Sequence, residues 1–186
     1  MIPVLETARL ILRPLELADA GQLQRIFPRW EIVQHLNARV PWPYPPDGAL
    51  SYLRDQALPA MERGEQWHWS IRLKAAPEQI IGSIGLIKGE RDNRGFWLAP
   101  EWQGQGLMTE ATEAVNEYWF ETLGFPAMRV AKAAPNGASR RISEKNGMRL
   151  AGTEEREYVC GRLPSEMWEM TAGEWRAHRE RLRERR

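Results

Sequence analysis

The 186-residue chain sets 26 Lys and Arg against 25 Asp and Glu, and a net charge of +1 gives no general drive toward DNA or RNA. Its single cysteine, Cys160, excludes an internal disulfide and any multi-cysteine metal site, and suits a reducing cytosol as a plain strand side chain. No stretch approaches the ~20 apolar residues of a membrane span and no apolar leader follows Met1, so a soluble, cytoplasmic, single domain over 1–186 is expected.

In chain order, residues 9–15 predict a strand, and Asp19 starts a helix to Phe27 that is followed by a second over 31–35. After the Pro-aromatic loop 41–46, Asp47 is a candidate N-cap for a helix to Leu58, where Pro59 interrupts it. Trp67, Trp69, Ile71 and Leu73 alternate as a half-buried strand, and the turn 75–78 returns the chain over 80–87. Asp92-Asn93-Arg94-Gly95 makes the next turn, into a strand over 95–98. A helix from Leu107, a strand over 129–133, a helix over 137–146 and strands over 148–159 and 166–170 come next. The capping box Thr171-Ala172-Gly173-Glu174 opens an arginine-rich helix over 171–186. Hairpins first and a strand–helix–strand unit later give an α+β fold, one mixed and mostly antiparallel sheet flanked by helices. In the last helix Arg176, Arg179, Arg181, Arg183, Arg185 and Arg186 alternate with Glu180 and Glu184, the pattern of a solvated face; docking on an RNA-rich or acidic partner is the alternative.

The junction Gln103-Gly104-Gln105-Gly106-Leu107-Met108-Thr109-Glu110 carries the most chemistry. Apolar residues at 107, 108, 111, 114, 115, 118 and 119 define one buried helix face, yet no Ser, Thr, Asp or Asn stands just ahead to cap it. The first backbone N–H groups are therefore free for a ligand, and glycines with a positive dipole end suit a phosphate or pyrophosphate. A dinucleotide fingerprint would need glycine where Thr109 stands, and a P-loop would need Gly-Lys-Ser/Thr; both patterns fail.

What remains resembles the acetyl-coenzyme A pyrophosphate loop of the GNAT superfamily of N-acetyltransferases, Gln/Arg-x-x-Gly-x-Gly/Ala, matched at Gln103 and Gly106 and departed from at Met108. The wider string Pro-x-x-Gln-Gly-x-Gly-x-Met-Thr-Glu-Ala is similar to the RimJ/RimL-type branch. So are the opening Glu6-Thr7-Ala8-Arg9-Leu10-Ile11-Leu12-Arg13-Pro14-Leu15 and the segment Asn136-Gly137-Ala138-Ser139 leading to Lys145-Asn146-Gly147-Met148, where Met148 replaces the usual aromatic. The resemblance implies the GNAT fold and acetyl-coenzyme A as co-substrate. It places the pyrophosphate on the amides of 103–109 and pantetheine along Phe96, Trp97 and Leu98, with a backbone amide over 96–99 polarising the thioester. Asn136 would bond the pantetheine or acetyl region, and Lys145 is a weaker candidate for a coenzyme phosphate, with a solvated helix lysine as the plain alternative.

For proton handling the resemblance implies Ser139 as acid toward the thiolate, against simple capping of a helix start, and Glu157 as base. Glu155 shares a strand face with Glu157, so Glu155 and water-relayed deprotonation stay open, with Tyr158 a further alternative on the opposite face. The acceptor is a primary amine: a peptide or ribosomal-protein-like N-terminus, or a small molecule such as an amino acid or antibiotic. The loop 41–46 with Trp30 and Trp67 is a candidate apolar lip for it, or core filling. His35, His68 and His178 lack metal-ligand spacing, so no metal is expected; His68 reads as sheet-flanked and the other two as surface. A non-catalytic acyl-coenzyme A module and an RNA-binding module using the arginine tail are the readings from other classes, and a homodimer is compatible with all of them.

Overall fold

The computed structural model describes residues 1–184; Arg185 and Arg186, predicted as the end of the last helix, lie outside them. Strands β1 (Leu5–Glu6), β2 (Leu10–Pro14), β3 (Gln66–Leu73), β4 (Ala76–Ile87) and β5 (Arg94–Leu98) pair antiparallel in chain order. Strands β6 (Ala127–Ala133), β7 (Arg149–Tyr158) and β8 (Gly161–Thr171) form a second antiparallel sheet with β8 in the centre. Helices α1 (Ala20–Ile26), α2 (Trp30–Val33), α3 (Gly48–Tyr52) and α4 (Leu58–Glu62) precede β3, α5 (Leu107–Glu117) joins β5 to β6, α6 (Gly137–Lys145) joins β6 to β7, and α7 (Ala172–Glu184) follows β8.

The expected α+β architecture, mostly antiparallel and flanked by helices, is present, with its sheet divided in two. The halves meet where Asn93 N–H donates to Arg129 O at 2.7 Å and Arg129 N–H donates to Asn93 Oδ1 at 2.8 Å. Past that point β5 pairs with β4 and β6 with β8, so the facing edges of β5 and β6 diverge. This splay is the feature that positions the site.

Strand β3 is buried on both faces, not half-buried as its alternation suggested. Trp67, Trp69 and Ile71 join the core built with Leu107, Ala111 and Val115 of α5. The intervening His68, Ser70 and Arg72 are buried as well, and Arg72 is paired: its Nη2 donates to Asp19 Oδ1 at 2.6 Å and its Nε to Ser70 Oγ at 3.0 Å. Asp19 thus serves as a buried counter-ion, and no cap bond from its side chain opens α1. The helix does not stop at Pro59 either. A π turn over Leu53–Ala57, closed by Leu58 N–H on Leu53 O, widens the backbone just ahead of the ring and carries the helix on to Glu62.

Strand β8 begins at Gly161, earlier than the predicted 166. Pro164 is tolerated inside it because β6 has ended at Ala133, opposite Ser165, so the missing N–H faces no strand. Cys160 is exposed in the turn between β7 and β8 and is not a strand side chain. Arg94, predicted as a turn residue, is the first of β5 and is buried. The capping box is formed, with Thr171 N–H donating to Glu174 Oε2 at 2.7 Å and Glu174 N–H to Thr171 Oγ1 at 3.2 Å. The helix it opens is docked: Trp175 is buried and stacks on Phe120, while Arg176 and Arg179 pair with Glu121 and Glu117.

His68 gives the fold a pH dependence. Burial pushes its pKa down to about 4, its ring sitting in space that Gly85 leaves open, with Nε2 2.7 Å from Gln66 Oε1. Between the unfolded value near 6.5 and the folded value of about 4 the unfolded chain binds the extra proton, so stability falls with pH through that window, by roughly 3 kcal/mol at most. Urea unfolding at pH 7 and pH 4.5 should show most of this loss in the native protein and much less in His68→Gln. Equal acid sensitivity in both would refute it.

Candidate active site

The loop ahead of α5 is glycine-turned and uncapped, as its sequence implies. Gly104 and Gly106 take positive φ, 74° and 78°, and the start of α5 receives no side-chain cap. Gln103 is extended and the two glycines are left-handed, so the chain turns tightly ahead of α5, where the helix dipole adds positive potential. Gln103 Nε2 donates to Leu98 O at 2.8 Å, tying loop to strand, and the Gln103 N–H is itself taken by Pro100 O at 3.1 Å.

The loop itself carries no cation; one arrives from the far end of the sequence. Arg9 Nη1 donates to Gln105 O at 3.0 Å, and a Cβ placed on Gly106 would lie 3.6 Å from Arg9 Nη2. Glu110 of the same motif holds Arg9 Nε at 2.7 Å and also takes the Thr7 hydroxyl and the Arg9 N–H. Burial raises the Glu110 pKa, but these hydrogen bonds and the guanidinium outweigh it and hold the carboxyl below its ordinary value. The opening motif and the loop motif are therefore one cluster. Arg9 was missed as a site residue because nothing local to 6–15 points to a loop about a hundred residues away.

The edge of β5 lies just ahead of this loop. Ala99 N–H bonds Ile81 O at 2.9 Å, so by antiparallel alternation residues 95, 97 and 99 direct their backbone groups to β4 and residues 96 and 98 direct theirs into the splay. The N–H groups of Phe96 and Leu98 are thus aimed at the gap. Side chains alternate too. Phe96 and Leu98 lie on the α5 face, while Trp97 lies on the other face, 5.2 Å from Phe27, which is 5.1 Å from Tyr44. Trp30 and Trp42 form an exposed pair 5.5 Å apart, and Arg29 beside Trp30 is tied to Glu101 at 2.6 Å, just ahead of the anion loop. Trp67 is not part of this surface; it is buried against Trp119 and Phe125.

At the start of α6, Asn136 Oδ1 accepts the Ser139 N–H at 3.2 Å. The capping oxygen is Asn136's, so Asn136 has only its amide N–H groups to offer a ligand, and the Ser139 hydroxyl is not the cap. Ser139 is 8% exposed, and the Arg140–Glu166 ion pair at 3.0 Å places its helix over the face of β6 and β8 that carries Lys132 and Glu166. Glu157 stands opposite Arg162 in register across the hairpin and shares that face with Glu155, whose carboxylate lies 3.7 Å from Arg162 Nε; Tyr158 points to the other, where its hydroxyl meets Ser165 Oγ at 2.6 Å. Burial raises the Tyr158 pKa, which makes it a poor base. Glu157 is exposed and makes no hydrogen bond to Ser139 among the described residues. Lys145 is exposed at the end of α6. No cluster of three His, Cys, Asp or Glu suited to a metal ion occurs among the described residues.

Residues 9–149 match the acetyltransferase (GNAT) domain, and the chain belongs to that family. It is an acyltransferase of the N-acetyltransferase class. It is similar to the uncharacterized N-acetyltransferase YoaA of Bacillus subtilis strain 168, 29% identical over 157 residues that cover 82% of this chain and 86% of that protein. In fold it resembles a ribosomal-protein-S5-alanine acetyltransferase from Vibrio fischeri, with a TM-score of 0.78 and 16% identity over 93% of this chain and 98% of that one. It also resembles RimL, a ribosomal L7/L12 alpha-N-protein acetyltransferase solved in complex with coenzyme A, with a TM-score of 0.76 and 19% identity over 91% and 97% of the two chains.

Proposed function

We propose that the protein transfers acetyl from acetyl-coenzyme A to a primary amine, and that the preferred amine is the α-amine of a peptide or protein N-terminus. The observation that carries this is the continuity of an uncapped, glycine-lined helix start with the unpaired edge of β5. The pyrophosphate takes the amides of 103–109, with Arg9 as the nearby charge, and pantetheine follows Phe96, Trp97 and Leu98 into the splay. The N–H of Phe96 or Leu98 polarises the thioester carbonyl and stabilises the oxyanion. Asn136 donates to a carbonyl of the pantetheine or acetyl region.

The acceptor approaches from the side of Phe27, Tyr44 and Trp97, with Trp30 and Trp42 as the exposed lip. Its nitrogen attacks the thioester carbon in a ternary complex, the C–S bond breaks, and Ser139 gives a proton to the thiolate. Glu157 takes the amine's proton; Glu155 or a water relay is the alternative. The aromatic surface and Glu157 lie on opposite faces of their strands, which favours a relay between them. An α-amine with pKa about 8 is neutral in roughly one molecule in ten at pH 7, against a few in ten thousand for a lysine, a difference of about 3 kcal/mol. A lightly activated site therefore suits α-amines. Small-molecule amines share this advantage and remain the second substrate class.

Thiol release from acetyl-coenzyme A, measured across peptides beginning Met, Ser, Ala or Glu, free amino acids and aminoglycosides, tests the reading. Release is expected with one or more of the peptides. Cofactor binding without release on any amine would refute it, and release on free amino acids or aminoglycosides alone would move the substrate to the small-molecule class.

A further inference from the structure

Lys132 has no part in the proposed transfer to a substrate amine. It lies on β6, 6% exposed, with Nζ 4.2 Å from the centre of the Phe96 ring at the floor of the splay. Its Nζ makes no hydrogen bond or ion pair among the described residues. Its register partner on β8 is Glu166, but that carboxylate is held by Arg140 of α6 at 3.0 Å and by Trp168 Nε1 at 3.1 Å. Asp92, in the turn ahead of β5, is held by both Nη groups of Arg156 from β7. The charged neighbour from β5 is Arg94, also over the Phe96 ring at 5.9 Å and bonded to the side-chain oxygens of Asn116 and Asn146 on α5 and just past α6. Two buried cations thus share one ring with no free carboxylate between them.

A lone buried ammonium is costly, and a lysine relieves the cost by shedding its proton, which an arginine does far less readily. Burial, with Arg94 adding to it, holds the Lys132 pKa well below the ordinary lysine range. The resulting neutral amine is a nucleophile.

We propose that Lys132 is an internal acetyl acceptor: with acetyl-coenzyme A bound along β5 and no amine substrate present, its Nζ takes the acetyl group. The Nζ–C bond forms, the C–S bond breaks with its electron pair going to sulfur, and the proton lost by the amine ends on the thiolate. The products are coenzyme A and an uncharged amide at the floor of the splay. This rests on the proposed cofactor path along β5.

The chain offers an internal control, because Lys132 is one of four lysines and Lys74, Lys88 and Lys145 are exposed. The protein is incubated with acetyl-coenzyme A alone at pH 7, and each lysine is followed by peptide mass spectrometry. Lys132 should label ahead of the other three, and Gly106→Val should suppress labelling at Lys132 alone. Denatured protein, where all four are equivalent, should lose the preference. Labelling confined to the exposed lysines, in a protein whose melting temperature acetyl-coenzyme A raises, would overturn the inference and leave the proposed function standing. Absence of both binding and labelling would overturn the two together.

Discussion

Replacing Gly106 by valine should abolish the thermal stabilisation that acetyl-coenzyme A confers. A ligand that binds the folded chain alone adds about 2.7 kcal/mol at roughly a hundred times Kd, a clear rise in Tm for a domain of this size. Gly106 sits at a φ of 78°, which a β-branched residue adopts only under strain, and its missing Cβ leaves the Arg9 side of the loop open. Valine there both distorts the amides and blocks approach to them. S-acetyl-pantetheine, which lacks the pyrophosphate, separates the effects: as an acetyl donor it should serve the variant nearly as well as the native protein. A folded variant that is still stabilised by acetyl-coenzyme A would show that the pyrophosphate binds elsewhere.

The second large effect is expected at Glu157. Glu157→Gln should lower turnover by the ~10²–10⁴ of a lost general base, and the deficit should shrink as pH rises and the acceptor amine deprotonates itself. Ser139→Ala should lower turnover without that rescue, since its proposed task is to protonate the thiolate. Affinity for acetyl-coenzyme A should hold in both, because neither residue touches the anion loop. A deficit for Glu157→Gln that is constant with pH would mean that the carboxylate orients the acceptor, and Glu155 or a water relay would then carry the proton.

Much of the frame was legible from local pattern. The apolar face from Leu107, the capping box at Thr171 and the glycine turn ahead of α5 are short-range signals, and each reappears in place. Where the sequence misled, a partner distant in the chain had decided the outcome. Pro59 reads as a stop until the π turn before it is seen, and Pro164 reads as a strand breaker until β6 is found to end beside it. The alternation of β3 reads as half-buried, whereas its second face is buried too and Arg72 there finds its counter-ion in the distant Asp19.

The site divides in the same way. The loop 103–109 was visible as a motif, but Arg9 joins it only in the folded chain, through Glu110 and Gln105 O, and the backbone N–H groups of Phe96 and Leu98 become available only because β5 and β6 part after Asn93. Lys132 looks like any strand lysine until β5 is laid beside it. The resemblance to the GNAT family supplied Ser139 and Glu157, and the fold puts both on the α6 side without joining them by a hydrogen bond.

The central claim, acetyl transfer to an α-amine, is tested most directly by a peptide carrying both a free N-terminus and an internal lysine, incubated with the enzyme and acetyl-coenzyme A. Fragment-ion mass spectrometry then locates the acetyl group. Acetyl is expected on the α-nitrogen, stoichiometric with thiol released and absent when the N-terminus is blocked. Acetyl on the internal lysine, or thiol release unchanged by the block, would contradict it.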